Sequence, residues 1–251
     1  MKKRYSEEQI IGFLKEAESG VPIKELFRAA PLGMTGAAVT GLSNGALLSG
    51  GPVYGAEAGM TASRVGLFIG LSLIGQLVFQ WPIGALSDRI SRRRVILGVT
   101  TIAGIAAGVA IQLDPLATAF LAAAFVFGGM TYPMYSVSVS HVNDVVPEDK
   151  LVAASAAMIM INGLGAISGP IIATGALTIL GVEGFWIALA VVHGGFGFFA
   201  SYRVITRRNI DVTKRKYLPI PSRATFGAHR MLRDRRRQDV SSGAAPDKVA
   251  P

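Results

Sequence analysis

The sequence Gly84-Ala-Leu-Ser-Asp-Arg-Ile-Ser-Arg-Arg-Arg-Val95 is a short charged segment between two long apolar runs. The runs, residues 65–86 before it and 95–113 after it, each provide roughly the 20 residues that a helix needs to cross a bilayer. The chain must therefore turn in water between them. Because short loops rich in Lys and Arg resist translocation, the arginines of this segment predict that the turn lies on the cytoplasmic side of a membrane.

The composition of the chain agrees with a protein that lipid solvates. Of its 251 residues, 51% are hydrophobic and 16% charged, and the mean hydropathy is +0.45, whereas about 25% of the residues of a soluble domain are charged. Of the 25 Lys and Arg, 13 lie from Arg203 onward, six in the first 28 residues and four in the Arg89–Arg94 turn. The net charge of +9 therefore indicates membrane topology, and it is weak evidence for nucleic-acid binding.

Six apolar segments, separated by short polar breaks, predict an all-α membrane protein with six transmembrane helices. They cover residues 31–50, 65–87, 95–113, 116–140, 151–180 and 184–202. The N-terminus, the Arg89–Arg94 turn and the chain after Arg203 are basic, which predicts that both termini are cytoplasmic. The acidic turn 143–150 is assigned to the same side by parity alone. The first segment is the least secure, because its glycines lower helix propensity.

Small residues and prolines recur within the predicted spans. Glycines spaced by four, which let helix backbones approach closely, are Gly66 and Gly70, Gly104 and Gly108, and Gly165 and Gly169. The prolines Pro82, Pro133 and Pro170 are expected to kink or break their helices locally. Spacing alone leaves two interpretations open: a bundle that rearranges, and a static bundle packed by small residues.

Polar side chains inside the spans are candidates for a solute cavity, because each costs free energy in hydrocarbon and usually faces a cavity or a partner. They are Asn44, Gln76, Gln80, Tyr132, Tyr135 and Asn162. Helix–helix hydrogen bonds are the alternative role for each of them. Near the end of the fourth segment, His141 with Asn143 and Asp144 is either a proton relay or a solvated turn. His193, in the last segment, reads as a buried, hydrogen-bonded histidine.

Motifs of enzymes, cofactors and metals are missing from the sequence. There is no nucleophile elbow, no phosphate-binding glycine loop and no pair of histidines at metal-ligand spacing. With no cysteine, the chain has no disulfide, thiolate metal site or Cys nucleophile. The N-terminus lacks the apolar core of a cleavable signal peptide. We therefore expect neither catalysis nor a resident cofactor or metal.

The charged segment resembles the signature loop of the major facilitator superfamily, commonly G-x-L-[AS]-D-[RK]-x-G-R-[RK]-x. The matching residues are Gly84, Leu86, Asp88, Arg89, Arg92, Arg93 and Arg94. Ser91 replaces the family's glycine, which puts the tightness of the turn in question. The flanking text Gly41-Leu-Ser-Asn-Gly-Ala, Gln80-Trp-Pro-Ile-Gly and Gly163-Leu-Gly-Ala-Ile-Ser-Gly-Pro extends the resemblance over residues 31–205, to the carboxyl-terminal half of a bacterial drug or metabolite permease.

The resemblance implies a transporter of about twelve spans in two halves, with the solute bound between the halves. This chain has room for one half. The implied activity is secondary transport of a small solute, coupled to protons, across the inner membrane of a bacterium, with Asp88 pairing at the cytoplasmic helix end to latch one state. The implied partners are the lipid bilayer, an unknown solute, and either a second copy or a separately made amino-terminal half.

Residues 1–28 resemble the start of the helix-turn-helix protein encoded by insertion sequences. They predict two helices, the second from about Ile23 to residues 28–30, but the third, base-reading helix is replaced by an apolar segment. We therefore predict a truncated leader at 1–30, a half-transporter at 31–205 and a basic, disordered cytoplasmic tail at 206–251. The alternatives are a non-functional gene remnant and a DNA-binding transposition accessory protein, although specific nucleic-acid binding is not expected.

Overall fold

A computed structural model describes residues 23–147 and 150–206, all within one compact unit. The helices of these ranges are α1 (Ile23–Ala29), α2 (Pro31–Gly45), a π-helical turn (Ala46–Gly50), α3 (Gly51–Glu57), α4 (Ala62–Arg89), α5 (Arg92–Gln112), α6 (Thr118–Asn143), α7 (Leu151–Leu180) and α8 (Gly184–Thr206). The predicted first leader helix and the predicted tail after residue 206 lie outside these ranges.

Helices α4 to α8 are each long and apolar enough to cross a bilayer, so the chain is a multi-pass membrane protein. They coincide closely with the last five predicted segments, and α1 begins at the predicted Ile23. Helices α4, α6 and α7 continue through Pro82, Pro133 and Pro170, so of the two expected effects, a kink or a break, the break does not occur.

The first predicted segment is more complex than the single helix expected over residues 31–50. It comprises α2, the π-helical turn and α3, and it extends to Glu57. The junction residues Ala46 (φ −58°, ψ −50°) and Gly51 (φ −57°, ψ −41°) keep right-handed helical angles. The path from Pro31 to Glu57 is therefore continuous, with one wider turn in place of a break.

The bundle packs around α2 and α6. Helix α4 lies along α6, α7 lies along α2, and α5 packs on both α6 and α8. The extent of burial differs accordingly. In the 18-residue apolar stretch of each helix, 67% of α6 is buried inside the protein, against 17% of α4. Helix α4 therefore presents most of its surface to the surroundings, as expected of a helix that lipid or another protein covers.

Within the described ranges, two separate hydrophobic clusters form the core. The larger cluster contains a group of aromatic rings, in which Tyr54 stacks on Phe185 at a centroid distance of 4.8 Å and meets Trp186 edge-on at 6.1 Å. The smaller cluster lies where α1, the start of α2, the end of α6 and the start of α7 meet. Its members are Leu26, Ala30, Met34, Ala37, Val142, Val146, Ala154, Ala157, Met158 and Ile161.

Candidate functional site

The charged segment is mostly helical. Helix α4 runs through Gly84 and ends at Arg89, and α5 begins at Arg92, so the connection consists of Ile90 and Ser91 alone. Arg92, Arg93 and Arg94 thus occupy the first turn of α5. Cations are unfavourable there because the helix dipole is positive at its N-terminus. The arrangement therefore calls for an anionic partner.

That partner for Arg92 comes from the turn between α6 and α7. Arg92 Nε lies 2.8 Å from Asp144 Oδ2, and their side chains are 16% and 25% exposed. Asp144 directly follows the end of α6 at Asn143. The ion pair joins the turn after α4 to the turn after α6, so the two turns lie at the same end of the bundle.

Arg93 is half-buried, whereas Arg94 and four other residues of the motif are exposed. The four are Gly84, Leu86, Asp88 and Arg89, and a Cβ added at Gly84 would meet nothing within 4 Å. Across the described ranges the side chain of Asp88 has neither a hydrogen bond nor an ion pair. Within residues 23–147 and 150–206, the pairing of Asp88 that the resemblance implies is therefore not made, and Arg92 and Asp144 form an ion pair.

Two of the six polar candidates form hydrogen bonds between helices. Gln80 Nε2 donates to Ser136 Oγ at 3.1 Å and joins α4 to α6. Asn162 Nδ2 donates to the carbonyl oxygen of Ala37 at 3.0 Å and joins α7 to α2. Both follow the alternative role considered above, in which polar side chains connect helices.

The remaining candidates are distributed over α2, α4 and α6. Asn44 Oδ1 and Tyr132 Oη are buried atoms without a hydrogen-bond partner in the part of the chain that the structure describes. Gln76 is half-buried on α4, and Tyr135 packs beside the smaller cluster. His141 is buried and Asn143 is exposed. His141 and Asn143 therefore lie in different environments, although they are close in the sequence.

A buried polar contact centred on His193 was only partly foreseen. His193 Nε2 lies 3.0 Å from Ser43 Oγ, and Nδ1 lies 3.0 Å from Thr100 Oγ1. Thr100 Oγ1 also donates to the carbonyl oxygen of His193 at 3.3 Å, so Nδ1–H is the donor in the contact between the ring and Thr100. His193 thus connects α8 to α2 and α5. Sequence spacing gave no signal for Ser43 or Thr100.

Arg64 fastens the opposite end of the bundle. Its Nε donates to the carbonyl oxygen of Pro115 at 3.2 Å, and its Nη2 donates to that of Ala117 at 2.8 Å. Pro115 and Ala117 lie in the turn between α5 and α6. Arg64 therefore holds the turn between α5 and α6 against the start of α4, a role that the sequence reading missed although Arg64 stands alone in that region.

A family model and several known proteins match the sequence of this chain. The Major Facilitator Superfamily model matches residues 33–235. An uncharacterised MFS-type transporter of Yersinia enterocolitica is 31% identical over 143 residues, which are 57% of this chain and 36% of that protein. The MFS-type transporter YcaD of Escherichia fergusonii is 29% identical over the same shares of both chains.

The chain thus spans about a third of the length of these relatives, since 36% of each is covered. A transporter of Enterobacter sp. strain 638 gives the same share at 30% identity. No solved structure matches. The family model covers most of the chain, including every helix from α3 to α8. The chain belongs to the major facilitator superfamily.

Proposed function

We propose that this chain is one half of a secondary transporter that moves a small solute across the inner membrane of a bacterium. The observation that carries this proposal is the ion pair between Arg92 and Asp144, which couples the signature turn to the turn after α6. Transporters of this type rock one bundle against the other around a central solute. A charged contact between turns at one end is suited to stabilise one of those states.

We infer six spans, the first being the continuous path of α2, the π-helical turn and α3. Its 27 residues, Pro31 to Glu57, would measure about 40 Å at ~1.5 Å per residue, and a bilayer core is about 30 Å thick. An even number of spans puts both ends of the bundle on one side. The basic turn Arg89–Arg94 favours the cytoplasm for that side.

The working transporter needs a second bundle, because this chain covers about a third of its relatives' length. We propose that a second copy, or a separately made amino-terminal half, supplies it. The solute would meet polar side chains of α2, α4 and α6, namely Asn44, Gln76, Tyr132 and Tyr135. Proton coupling would involve His141, a buried histidine near the end of α6.

The test compares two matched variants in proteoliposomes. The vesicles are reconstituted with this protein, alone and together with an amino-terminal half. Asp144→Asn removes the charge that faces Arg92. Asp114→Asn removes a charge at the other end, and the asparagine retains the oxygen that accepts from the Leu116 amide. Counterflow is measured for a panel of solutes that includes ethidium and amino acids. We expect it to fall with Asp144→Asn and to persist with Asp114→Asn. The double variant Arg92→Asp with Asp144→Arg, which exchanges the two charges, should restore it.

Equal counterflow in Asp144→Asn and the parent would contradict a gating role for the ion pair. If a monodisperse protein shows no counterflow with any partner or solute, the chain is a remnant with the fold of the family but not its activity. Tight, sequence-selective binding to insertion-sequence ends in a gel-shift assay would favour the DNA-binding alternative instead.

A further inference from the structure

A segment outside the family match is built into the core of the bundle. The Major Facilitator Superfamily model begins at residue 33, whereas α1 covers Ile23–Ala29. Leu26 is nevertheless only 1% exposed, as is Ala30. The neighbouring Phe27 is 37% exposed, so α1 is attached to the bundle through one face, with Leu26 as its anchor.

The backbone holds α1 at a defined angle to α2. The amide of Ala30 donates to the Leu26 carbonyl at 2.8 Å, and the amide of Met34 donates to the Ala30 carbonyl at 3.1 Å. Ala30 itself has φ −131° and ψ 58°, outside the helical region. The hydrogen bonding therefore passes through a bend, which turns α1 away from the α2 axis and leaves Leu26 within the smaller cluster.

The smaller cluster joins elements that otherwise touch little. Helix α7 packs mainly on α2 and α8, and it has few contacts with α6 along their lengths. In the smaller cluster, however, Val142 and Val146 at the end of α6 are grouped with Ala154 and Met158 near the start of α7. Leu26 is buried in that same group, at the end of the bundle that carries the Arg92–Asp144 ion pair.

We propose that α1 is a strap, in which Leu26 holds the start of α7 against the end of α6 and so keeps this end of the bundle closed. Any motion within this bundle that separates those two helices must expose the apolar surface that Leu26 covers. The effect on transport rests on the proposed function. The seating of α1 does not, and it is measured separately.

The experiment uses the absence of cysteine from the natural sequence. A single cysteine introduced by M158C, at a position 1% exposed in the smaller cluster, reports on the strap. A103C, at a position 0% exposed in the larger cluster, reports on the rest of the bundle. Each is labelled with fluorescein maleimide in the full-length, detergent-solubilised protein, alone and combined with Leu26→Asp or with Phe27→Asp.

We expect Leu26→Asp to accelerate labelling of M158C by at least about tenfold, because a local opening equilibrium shifts tenfold for each ~1.4 kcal/mol lost. Phe27→Asp, an identical charge change one residue away, should leave the labelling rate unchanged. A103C should remain protected in both variants. Equal labelling of M158C in the Leu26 and Phe27 variants, or rapid labelling without either substitution, would overturn the strap.

Labelling of A103C in Leu26→Asp would show that the whole bundle had opened. In that case Leu26→Ala replaces it, and the same comparison of M158C with A103C decides the matter. Transport assays on the same variants separate the two proposals. Unseating of α1 without a change in counterflow would refute the link to transport but keep the strap, whereas counterflow unaffected by Asp144→Asn bears only on the proposed function.

Discussion

Two glycine pairs with the same four-residue spacing lie in opposite environments. On α7, a Cβ at Gly165 or Gly169 would collide with the backbone of α2, at the carbonyls of Ala38 and Leu42. On α4, a Cβ at Gly66 or Gly70 would meet nothing within 4 Å. One pair thus creates a close contact between backbones, whereas the other has open space where its side chains would be.

The contact between α7 and α2 is reciprocal. Gly41 and Gly45 on α2 face the backbone of Asn162 and Ala166 on α7, at distances too short for a side chain on either helix. In lipid, helices associate through such packing because hydrocarbon provides no hydrophobic drive. The comparison shows that spacing by four permits close approach, and that the neighbouring helix determines whether it occurs.

Substituting alanine at matched positions gives the largest expected difference between the pairs. Gly169→Ala should lower stability by about 2–3 kcal/mol, since the backbones must separate, whereas Gly70→Ala should change it by less than ~1 kcal/mol, with helix propensity in its favour. Thermal unfolding followed by tryptophan fluorescence, to which buried Trp186 and exposed Trp81 both contribute, measures both. Equal melting temperatures for the two variants would contradict the assignment.

The contact of Ser43 with His193 is a second attachment of α2, beside its glycine contact with α7, and it can be tested separately. His193→Leu removes the ring contacts with Ser43 and Thr100, so Ser43 Oγ loses its partner, whereas Thr100 can still donate to the backbone carbonyl of residue 193. We expect a loss of about 2 kcal/mol and about half of that for Ser43→Ala, by the same melting assay. If His193→Leu melts like the parent, the glycine contact alone is sufficient to hold α2.

Substitutions at Arg64 test what holds α4 in the bundle, since a Cβ added at its Gly66 or Gly70 would contact no neighbouring helix. Arg64→Gln should destabilise the protein by about 1 kcal/mol, because the carbonyls of Pro115 and Ala117 lose a charged donor. Arg64→Lys, which keeps the charge but not the forked geometry, should fall between the two. Hydrogen exchange of the α5–α6 turn reports the effect locally, and unchanged exchange in Arg64→Gln would refute it.

The smallest stability effect is expected at the ion pair between Arg92 and Asp144. Partly exposed pairs contribute roughly 0.2–1 kcal/mol, so Asp144→Asn should lower the melting temperature only slightly. The difference should shrink in about 1 M salt, where the screening length falls to ~3 Å. A large, salt-independent loss would indicate that Asp144 has a structural role beyond this pair.

The spans after residue 60 could be predicted closely because hydropathy and length are local properties. The predicted 151–180 segment coincides with α7 at Leu151–Leu180, and the predicted 184–202 segment lies within α8. The first segment was less predictable, because its glycines weaken an isolated helix. In the folded bundle those same glycines let α2 pack closely on α7, so tertiary contact outweighs helix propensity.

The candidate site was predicted as a set of residue types, but its pairings were not. Signature arginines were recognisable in the sequence, yet only the fold shows that Arg92 contacts Asp144 while Asp88 stays exposed. The parity argument for the acidic turn at 143–150 agrees with this ion pair. The network of His193, Ser43 and Thr100 involves residues far apart in the chain, so no local pattern could indicate it.

By itself, the sequence determined that the chain crosses a membrane repeatedly, where most of its helices begin and end, and which signature motif connects two of them. Those properties follow from apolar length and charge, which each segment carries alone. Only the tertiary structure decided which glycines are buried, which polar side chains join helices, and that α1 is seated in the core through Leu26. In a membrane an apolar side chain has a similar solvation free energy whether it faces lipid or another helix. Hydropathy therefore does not reveal which face another helix covers.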